Sequence, residues 1–214
     1  MKTDDLVLLL ARGEGPVPRH VAARRYAAAI VVGAVAAGAL MLGLLGVRPD
    51  LGEAVRLPMF WAKIAYVASL AAASLRAVAR LSQPGARIGA RLGVALAVPV
   101  LAMWALAAVV LARAEPAARM DLVLGETWAV CPFLIAMLSA PVFAATLWAM
   151  RELAPTRLPL AGAAAGLLSG AVGGLVYCLH CPEMAAPFIG TWYLLGMLIP
   201  AAAGALVGRR ALRW

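Results

Sequence analysis

The stretch that decides the fold is Leu158–Leu179, LPLAGAAAGLLSGAVGGLVYCL, which carries no charged side chain from end to end. A helix needs about 20 predominantly apolar residues to cross the hydrocarbon core of a bilayer. Within this stretch Gly162, Gly166, Gly170 and Gly174 recur every four residues, so they share one side of a helix. Because lipid supplies no hydrophobic drive between helices, such a stripe of small residues predicts close packing at the centre of a bundle.

Five further segments have the same character, which predicts an all-α membrane protein built as a six-transmembrane-helix bundle. The chain is 64% hydrophobic and 14% charged, whereas a soluble domain has about 25% charged residues. The second segment alone holds a charge, Lys63, whose stem we expect to snorkel to the membrane interface. The six predicted spans are 26–45, 58–75, 92–112, 127–150, 158–179 and 184–208 within a transmembrane domain 26–208.

Lysine and arginine are distributed unevenly between the two ends of these spans. The end that includes both termini carries 14 of them, and the opposite loops carry 4: Arg48, Arg56, Arg113 and Arg119. Since cytoplasmic loops hold an excess of basic residues, both termini are predicted to be cytoplasmic (N-in/C-in) in a bacterial inner membrane. The segment 1–25 and the basic tail 209–214 are then cytoplasmic. The net charge of +9 is explained in the same way, without direct nucleic acid binding.

The three cysteines fall at one predicted membrane face, opposite the termini. Cys131 lies near the outer end of the fourth span, and Cys178 and Cys181 lie at the outer end of the fifth, beside His180 and Glu183. Thiols in an oxidising compartment form a disulfide if their Cα atoms come within about 7 Å. Thiolates with an imidazole, completed by Glu183, instead suit a transient soft-metal ion. The alternative is that the cysteines act only as small buried apolar residues.

The N-terminus predicts a short amphipathic helix that needs a surface to cover its leucines. Its first residues can cap a helix, and its two carboxylates suit the positive helix end. A helix of about ten residues is marginal alone in water. The acidic residues favour a basic groove on a partner protein, and a short interfacial lead-in to the first span is the alternative. The candidate partner-binding residues are Thr3, Asp4, Asp5, Leu6, Leu9 and Leu10.

Several motifs together resemble the NrsF family, the six-helix membrane anti-sigma factors of proteobacteria. The resemblance runs from end to end, and its most specific parts are the Leu-His-Cys-Pro-Glu motif and the Leu-Arg-Trp terminus. The motifs are Lys2-Thr3-Asp4-Asp5-Leu6, Ala154-Pro155-Thr156-Arg157 with Ala161–Leu167, Leu179-His180-Cys181-Pro182-Glu183, Trp192-Tyr193-x-Leu195-Gly196 and Gly208-Arg209-Arg210-x-Leu212-Arg213-Trp214.

This resemblance implies a protein that is not an enzyme and has no resident cofactor. It implies a regulator that holds a cytoplasmic extracytoplasmic-function (ECF) sigma factor inactive and releases it under heavy-metal or oxidative stress. The two periplasm-facing cysteines of the family's pattern match Cys131 and Cys181 as sensor thiols, and Cys178 departs from that pattern as a further candidate.

Two other functional classes fit the sequence less well. A quinone-coupled membrane thiol-disulfide oxidoreductase usually needs two cysteine pairs to relay a disulfide, and this chain has 3 cysteines. A small-solute or metal transporter usually carries carboxylates or histidines inside its spans, and here the one charge well inside a span is Lys63.

Overall fold

The protein is described by a computed structural model that covers residues 3–13, 21–151, 153 and 155–213. Over these residues the chain forms helices and no strand. Six helices are long and apolar enough to cross a membrane: Ala22–Leu44, Pro58–Leu81, Ala90–Arg113, Cys131–Arg151, Leu158–Tyr177 and Ala186–Ala211. The predicted all-α fold with six such helices is therefore confirmed.

Short helices and turns connect the six long ones. A 3₁₀ turn, Pro116–Ala118, precedes α6, and a π-helical turn, Ile189–Tyr193, joins α9 to α10. In chain order the α-helices are α1 (Thr3–Gly13), α2 (Val21–Leu44), α3 (Leu51–Ala54), α4 (Pro58–Leu81), α5 (Ala90–Arg113), α6 (Arg119–Leu124), α7 (Cys131–Arg151), α8 (Leu158–Tyr177), α9 (Ala186–Phe188) and α10 (Leu194–Ala211).

Most helix boundaries differ from the predicted spans by a few residues, and two of the larger differences have a clear physical reason. Helix α4 continues past Leu75 to Leu81 and ends just before Pro84, because arginine is a good helix former although it is not apolar. Helix α7 begins at Cys131, and the residues from Thr127 to Val130 form hydrogen-bonded turns before it.

Helix α8 lies at the centre and packs against α2, α4, α7 and α10. Gly162, Gly166 and Gly170 face α10 so closely that an added Cβ would overlap its backbone. Gly174 instead faces the side chain of Val67 on α4, where an added Cβ would lie 3.2 Å from it. A step of four residues advances a helix by about 40°, so three steps turn the stripe by about 120°. The glycine stripe therefore allows close packing against two helices, α10 and α4.

The outer faces of the bundle are apolar and exposed. Val35 on α2 is 68% exposed, Phe133 on α7 is 69% exposed and Leu206 on α10 is 73% exposed. Exposed apolar patches of this extent are rare on monomeric soluble proteins. The bundle therefore presents a surface suited to an apolar surrounding.

Hydrogen bonds between loops assign each loop to an end of the bundle. At one end, the Gly85 N–H donates to Thr156 Oγ1 at 3.1 Å, and Arg151 Nε donates to the Ala211 carbonyl at 2.8 Å. We call this the basic end; it comprises the start of α2, the loop 82–89, the residues 155–157 before α8, and the end of α10. The loops 45–57, 114–130 and 178–185 meet at the other end, which we call the thiol end.

Candidate functional site

The site at the thiol end is built on the loop 178–185. Helix α8 finishes in a tight turn, in which the His180 and Cys181 N–H groups both donate to the Tyr177 carbonyl at 3.0 Å. Pro182 follows and has no N–H to continue the helix. The turn folds Cys181 back under the loop, where it is fully buried.

All three cysteines are free and buried, and two of them are in contact. The Cys131 thiol, on the first residue of α7, lies beside the Cys181 thiol and interacts with it. Cys178 lies beside this pair and next to Tyr193. The structure thus brings Cys131 and Cys181 together from two different helices and leaves Cys178 as their neighbour.

Two buried phenols, which the sequence reasoning did not single out, surround the thiols. Tyr177 is 1% exposed, and its hydroxyl interacts with Cys131. Tyr193 is fully buried, and its ring centroid lies 5.8 Å from that of Tyr177. The Tyr193 hydroxyl lies near Cys178 and Cys181 but makes no hydrogen bond of good geometry. Polar groups inside apolar spans are expensive, and this rule was the available signal for both tyrosines.

The π-helical turn explains how Tyr193 reaches the thiols. One extra residue per turn rotates the chain at Ile189–Tyr193 and loosens its regular hydrogen bonding. The Trp104 indole of α5 donates to the Gly190 carbonyl in this turn at 2.9 Å. The Trp192 indole donates to the Val123 carbonyl at the end of α6 at 2.8 Å. Both bonds hold the turn against its neighbours.

Lys63, which was expected from the sequence to snorkel, is directed to the loop 178–185 and is enclosed by the protein. Its side chain is fully buried, and Nζ donates to the carbonyls of Cys181 at 3.1 Å and Glu183 at 3.0 Å. The ammonium also lies 5.5 Å from the centroid of the Tyr193 ring. The two carbonyls therefore provide protein partners for the ammonium, as a charge within a span requires.

Arg48, which entered the sequence analysis only as a basic loop residue, is a second cation that binds the loop 178–185. It lies between α2 and α3. Its Nη1 donates to the Cys181 carbonyl at 3.1 Å. The other side of the guanidinium forms a two-pronged pair with Asp50, at 2.7 and 2.6 Å. This pair lowers the pKa of Asp50 and raises that of Arg48. The Cys181 peptide is therefore held by cations from the α2–α3 loop and from α4.

The pKa values of the two cysteines in the loop 178–185 are shifted in opposite directions. A hydrogen bond from Cys131 is the main cause that lowers the pKa of Cys181 to about 6, and the positive charge of Lys63 adds to it. Burial raises the pKa of Cys178 to about 11. Cys181 is therefore the more acidic thiol of this loop, and the thiolate is the form that acts as a nucleophile or a metal ligand.

The other candidate metal ligands are engaged elsewhere. His180 Nδ1 lies 2.9 Å from the Gly46 carbonyl. Glu183 Oε1 accepts the Glu126 and Thr127 N–H groups at 2.8 and 3.2 Å. Within residues 3–13, 21–151, 153 and 155–213, no group of three or more histidine, cysteine or acidic side chains is placed to hold a metal. The arrangement therefore offers a pair of thiols rather than a four-residue ligand set.

Glu183 closes the loop onto the segment before α7, and Gly125 makes room for it. Gly125 has φ 56°, a left-handed conformation that favours glycine. A Cβ there would lie 2.7 Å from the Glu183 carboxylate. A depression of about 510 Å³ lined by Asp121, Glu126 and Pro182 lies directly over this contact, so a small polar reagent can approach the loop above Cys181.

The acidic N-terminal helix precedes α2, whose first residues lie at the basic end. Helix α1 spans Thr3–Gly13, and the side chains of Thr3, Asp4, Asp5 and Leu6 are exposed. The side chains of Leu9 and Leu10 lie outside what the structure describes, so the predicted leucine face stays a prediction. Helix α2 then runs 24 residues towards the thiol end, a length of about 36 Å.

Comparison with known proteins gives consistent matches over the chain. The family model NrsF, negative regulator of sigma F, matches residues 10–214. The chain is 61% identical over 214 residues to the "Probable anti-sigma-F factor NrsF" of Azospira oryzae, with both chains covered completely. It is 42% identical over 216 residues to the "Anti-sigma-F factor NrsF" of Caulobacter vibrioides, again with both covered completely. No solved structure matches the chain.

Proposed function

The chain belongs to the NrsF family, the negative regulators of sigma F, and on that premise we propose that it is a membrane-bound anti-sigma factor for an ECF sigma factor. Anti-sigma factors act by binding, so the partner is a sigma factor and the protein is a regulator rather than an enzyme. The proposed signal is an oxidant or a soft metal ion that reacts with Cys131 and Cys181.

Insertion in the membrane is supported by the apolar outer faces of the bundle. The six long helices are long and apolar enough to cross a bilayer, and a helix pairs most of its backbone groups within itself, as a bilayer demands. Their outward side chains, such as Val35 and Phe133, find no protein partner among the described residues. The excess of arginine at the basic end supports placing that end in the cytoplasm of an inner membrane.

Helix α1 is the proposed contact with the sigma factor. The side chains of Leu6, Val7 and Leu8 are 43–58% exposed, so apolar groups remain available for a partner. The carboxylates of Asp4 and Asp5 at its positive end fit a basic groove. In the proposed orientation this helix and the sigma factor share the cytoplasm.

The contact between Cys131 and Cys181 is the observation that supports the proposed sensor. In the oxidative case, the Cys181 thiolate attacks a hydroperoxide and breaks its O–O bond, which leaves a sulfenic acid and an alkoxide that takes a proton from water. The Cys131 thiol then attacks that sulfur, and the disulfide forms as the hydroxyl leaves as water with the Cys131 proton. In the metal case, both thiols lose their protons to the ion.

A disulfide would change how the helices pack. The S–S bond is about 2.05 Å long, shorter than any hydrogen-bonded approach of two sulfur atoms. Closing that gap pulls the start of α7 towards the loop that Lys63 ties to α4. A signal shifts a conformational equilibrium only by its differential effect on the two states, and about 1.4 kcal/mol changes the ratio tenfold.

Sigma retention in membranes tests this proposal. Vesicles carrying the full-length protein are loaded with the cognate sigma factor, treated with hydroperoxide or with a soft metal ion, and washed. We expect treatment to release sigma from the wild type and not from Cys131→Ser or Cys181→Ser. Cys178→Ser is the matched control and should behave as the wild type. Equal release from all variants would remove the thiols from the mechanism, and no retention before treatment would refute the anti-sigma role itself.

A further inference from the structure

A basic cavity opens at the basic end, far from the thiols. It has a volume of about 730 Å³ and lies between the end of α4 and the beginning of α5. This is within the usual range of ligand sites, about 300–1,000 Å³. Its charged lining is Arg76 and Arg80 from α4 and Arg91 from α5.

The three arginines concentrate positive charge that the protein does not neutralise. Arg76 and Arg80 are four residues apart and lie on the same helix face, an arrangement that destabilises a helix when the charges are alike. All three side chains are exposed. None of them forms an ion pair or a side-chain hydrogen bond with a residue that the structure describes. The cavity therefore lacks a counter-ion from the described chain.

The beginning of α5 adds further donors to the same cavity. Gly89 precedes the helix and provides no side-chain cap. The first N–H groups of a helix have no partner within it, and they form the positive end of its dipole. Gly89 and Ala90 line the cavity together with the arginines. Such helix ends bind phosphate when a built cavity and cations accompany them.

The lower wall of the cavity is apolar and selects the type of anion. Leu92 and Ala95 line it, up to five residues inside α5, which is about 8 Å along the helix axis. A soluble acidic protein would have to enter the apolar zone of the bundle to contact them. A lipid places a phosphate at the arginines and an acyl chain along these residues in one molecule.

We infer that the cavity between α4 and α5 binds the phosphate headgroup of an anionic membrane phospholipid. This inference rests on the membrane placement in the proposed function. Basic cavities between helices at the cytoplasmic face suit anionic headgroups. The arginines bind the phosphate as charged donors, and the apolar wall holds the upper acyl chain.

Lipid binding to the purified, delipidated full-length protein tests the inference. Phosphatidylglycerol is titrated in detergent, and bound lipid is counted by native mass spectrometry. The variants are Arg76→Gln/Arg91→Gln, its charge-retaining counterpart Arg76→Lys/Arg91→Lys, and Arg87→Gln. Arg87 lies in the same loop region and does not line the cavity, so it is the matched control.

The Gln double variant should bind phosphatidylglycerol about 30-fold more weakly, at about fivefold for each lost charge near the surface. The Lys double variant and Arg87→Gln should remain within a few-fold of the wild type. Equal weakening by Arg87→Gln, equal binding of zwitterionic phosphatidylcholine, or displacement by inorganic phosphate or by the sigma factor would each overturn the inference.

Two controls separate this inference from the proposed function. If the wild type is not retained in alkali-washed membranes, the proposed placement fails. If it is retained and still holds sigma but does not discriminate phosphatidylglycerol, only the lipid site fails. Because the substituted arginines are exposed, the thermal midpoint of each variant should match that of the wild type.

Discussion

Replacing Lys63 with methionine tests the link between the thiol loop and α4. Methionine keeps an unbranched apolar stem of similar length, so the loss of packing is small. The substitution removes two hydrogen bonds that Lys63 Nζ donates, to the Cys181 carbonyl at 3.1 Å and to the Glu183 carbonyl at 3.0 Å. The Cys181 carbonyl keeps the Arg48 donor. The Glu183 carbonyl keeps none among the described side chains.

The expected loss of stability follows from that one orphaned acceptor. A buried polar group left without a partner costs about 1–3 kcal/mol. Burying the charge of Lys63 also costs free energy in the wild type, and the neutral methionine avoids this cost. The net loss in the free energy of unfolding should therefore lie in the lower half of that range. We expect the midpoint of thermal unfolding in detergent to fall by a few degrees.

The second expected effect is on the chemistry of Cys181. The positive charge of Lys63 is one cause of the low pKa of this thiol. Its removal should raise that pKa, and each unit lowers the thiolate fraction about tenfold at a pH below it. The assay is the rate of alkylation of Cys181 by iodoacetamide as a function of pH, in a Cys178→Ser background. The midpoint of this profile should move upward in the variant.

Arg48→Met provides the matched control, because it removes the other donor to the same carbonyl. Because Lys63 still donates to that carbonyl, Arg48→Met should lower the thermal midpoint less than Lys63→Met does, and it should also shift the alkylation profile less. If the two variants shift the profile equally, or if Lys63→Met leaves it in place, the argument that Lys63 stabilises the thiolate is refuted.

Three further predictions follow from the same structure. Gly166→Ala should lower the free energy of unfolding by about 1–3 kcal/mol through overpacking against α10, and so lower the thermal midpoint. Gly38→Ala, which has open space around it, should leave the midpoint unchanged or raise it. Alkylation of Cys181 in the wild type should increase as the pH rises through about 6, while Cys178, with a pKa of about 11, stays unreactive at neutral pH; a common profile for both would contradict their assignment. Leu6→Asp should abolish sigma retention in vesicles without changing the thermal midpoint, since Leu6 is 43% exposed, and full retention would exclude α1 from the interface.

The fold was predictable because long segments of apolar residues with few charges indicate membrane-spanning helices. An uncharged stretch such as Leu158–Leu179 has few stable alternatives to a helix in lipid. The ends of the helices were less predictable, because an apolar stretch shows which residues suit a membrane core. It does not show where the backbone hydrogen bonds of the helix stop. Arg76 and Arg80 are therefore helical although they lie past the apolar stretch.

The site was predictable only in part, because contacts between helices leave no local pattern. Topology placed Cys131 and Cys181 at one end, and the structure adds their contact. The role of Lys63 was missed because the sequence cannot show that two carbonyls are within its reach. Tyr193 was missed because its inward position depends on the π-helical turn, for which the sequence carries no clear signal.

Helix α4 joins the two ends of the molecule in one rigid element. Lys63 holds the thiol loop, and Arg76 lies 13 residues further along at the basic cavity, a distance of about 20 Å on a continuous helix. If α4 follows a displacement of the loop at Cys181, one wall of the cavity moves as well. Coupling between two binding sites is reciprocal by thermodynamic necessity. If a thiol-bound metal ion changes the affinity of the cavity for an anionic headgroup, the headgroup must change the affinity of the thiols for the metal by the same factor. The composition of the membrane would then set the threshold at which the sensor responds.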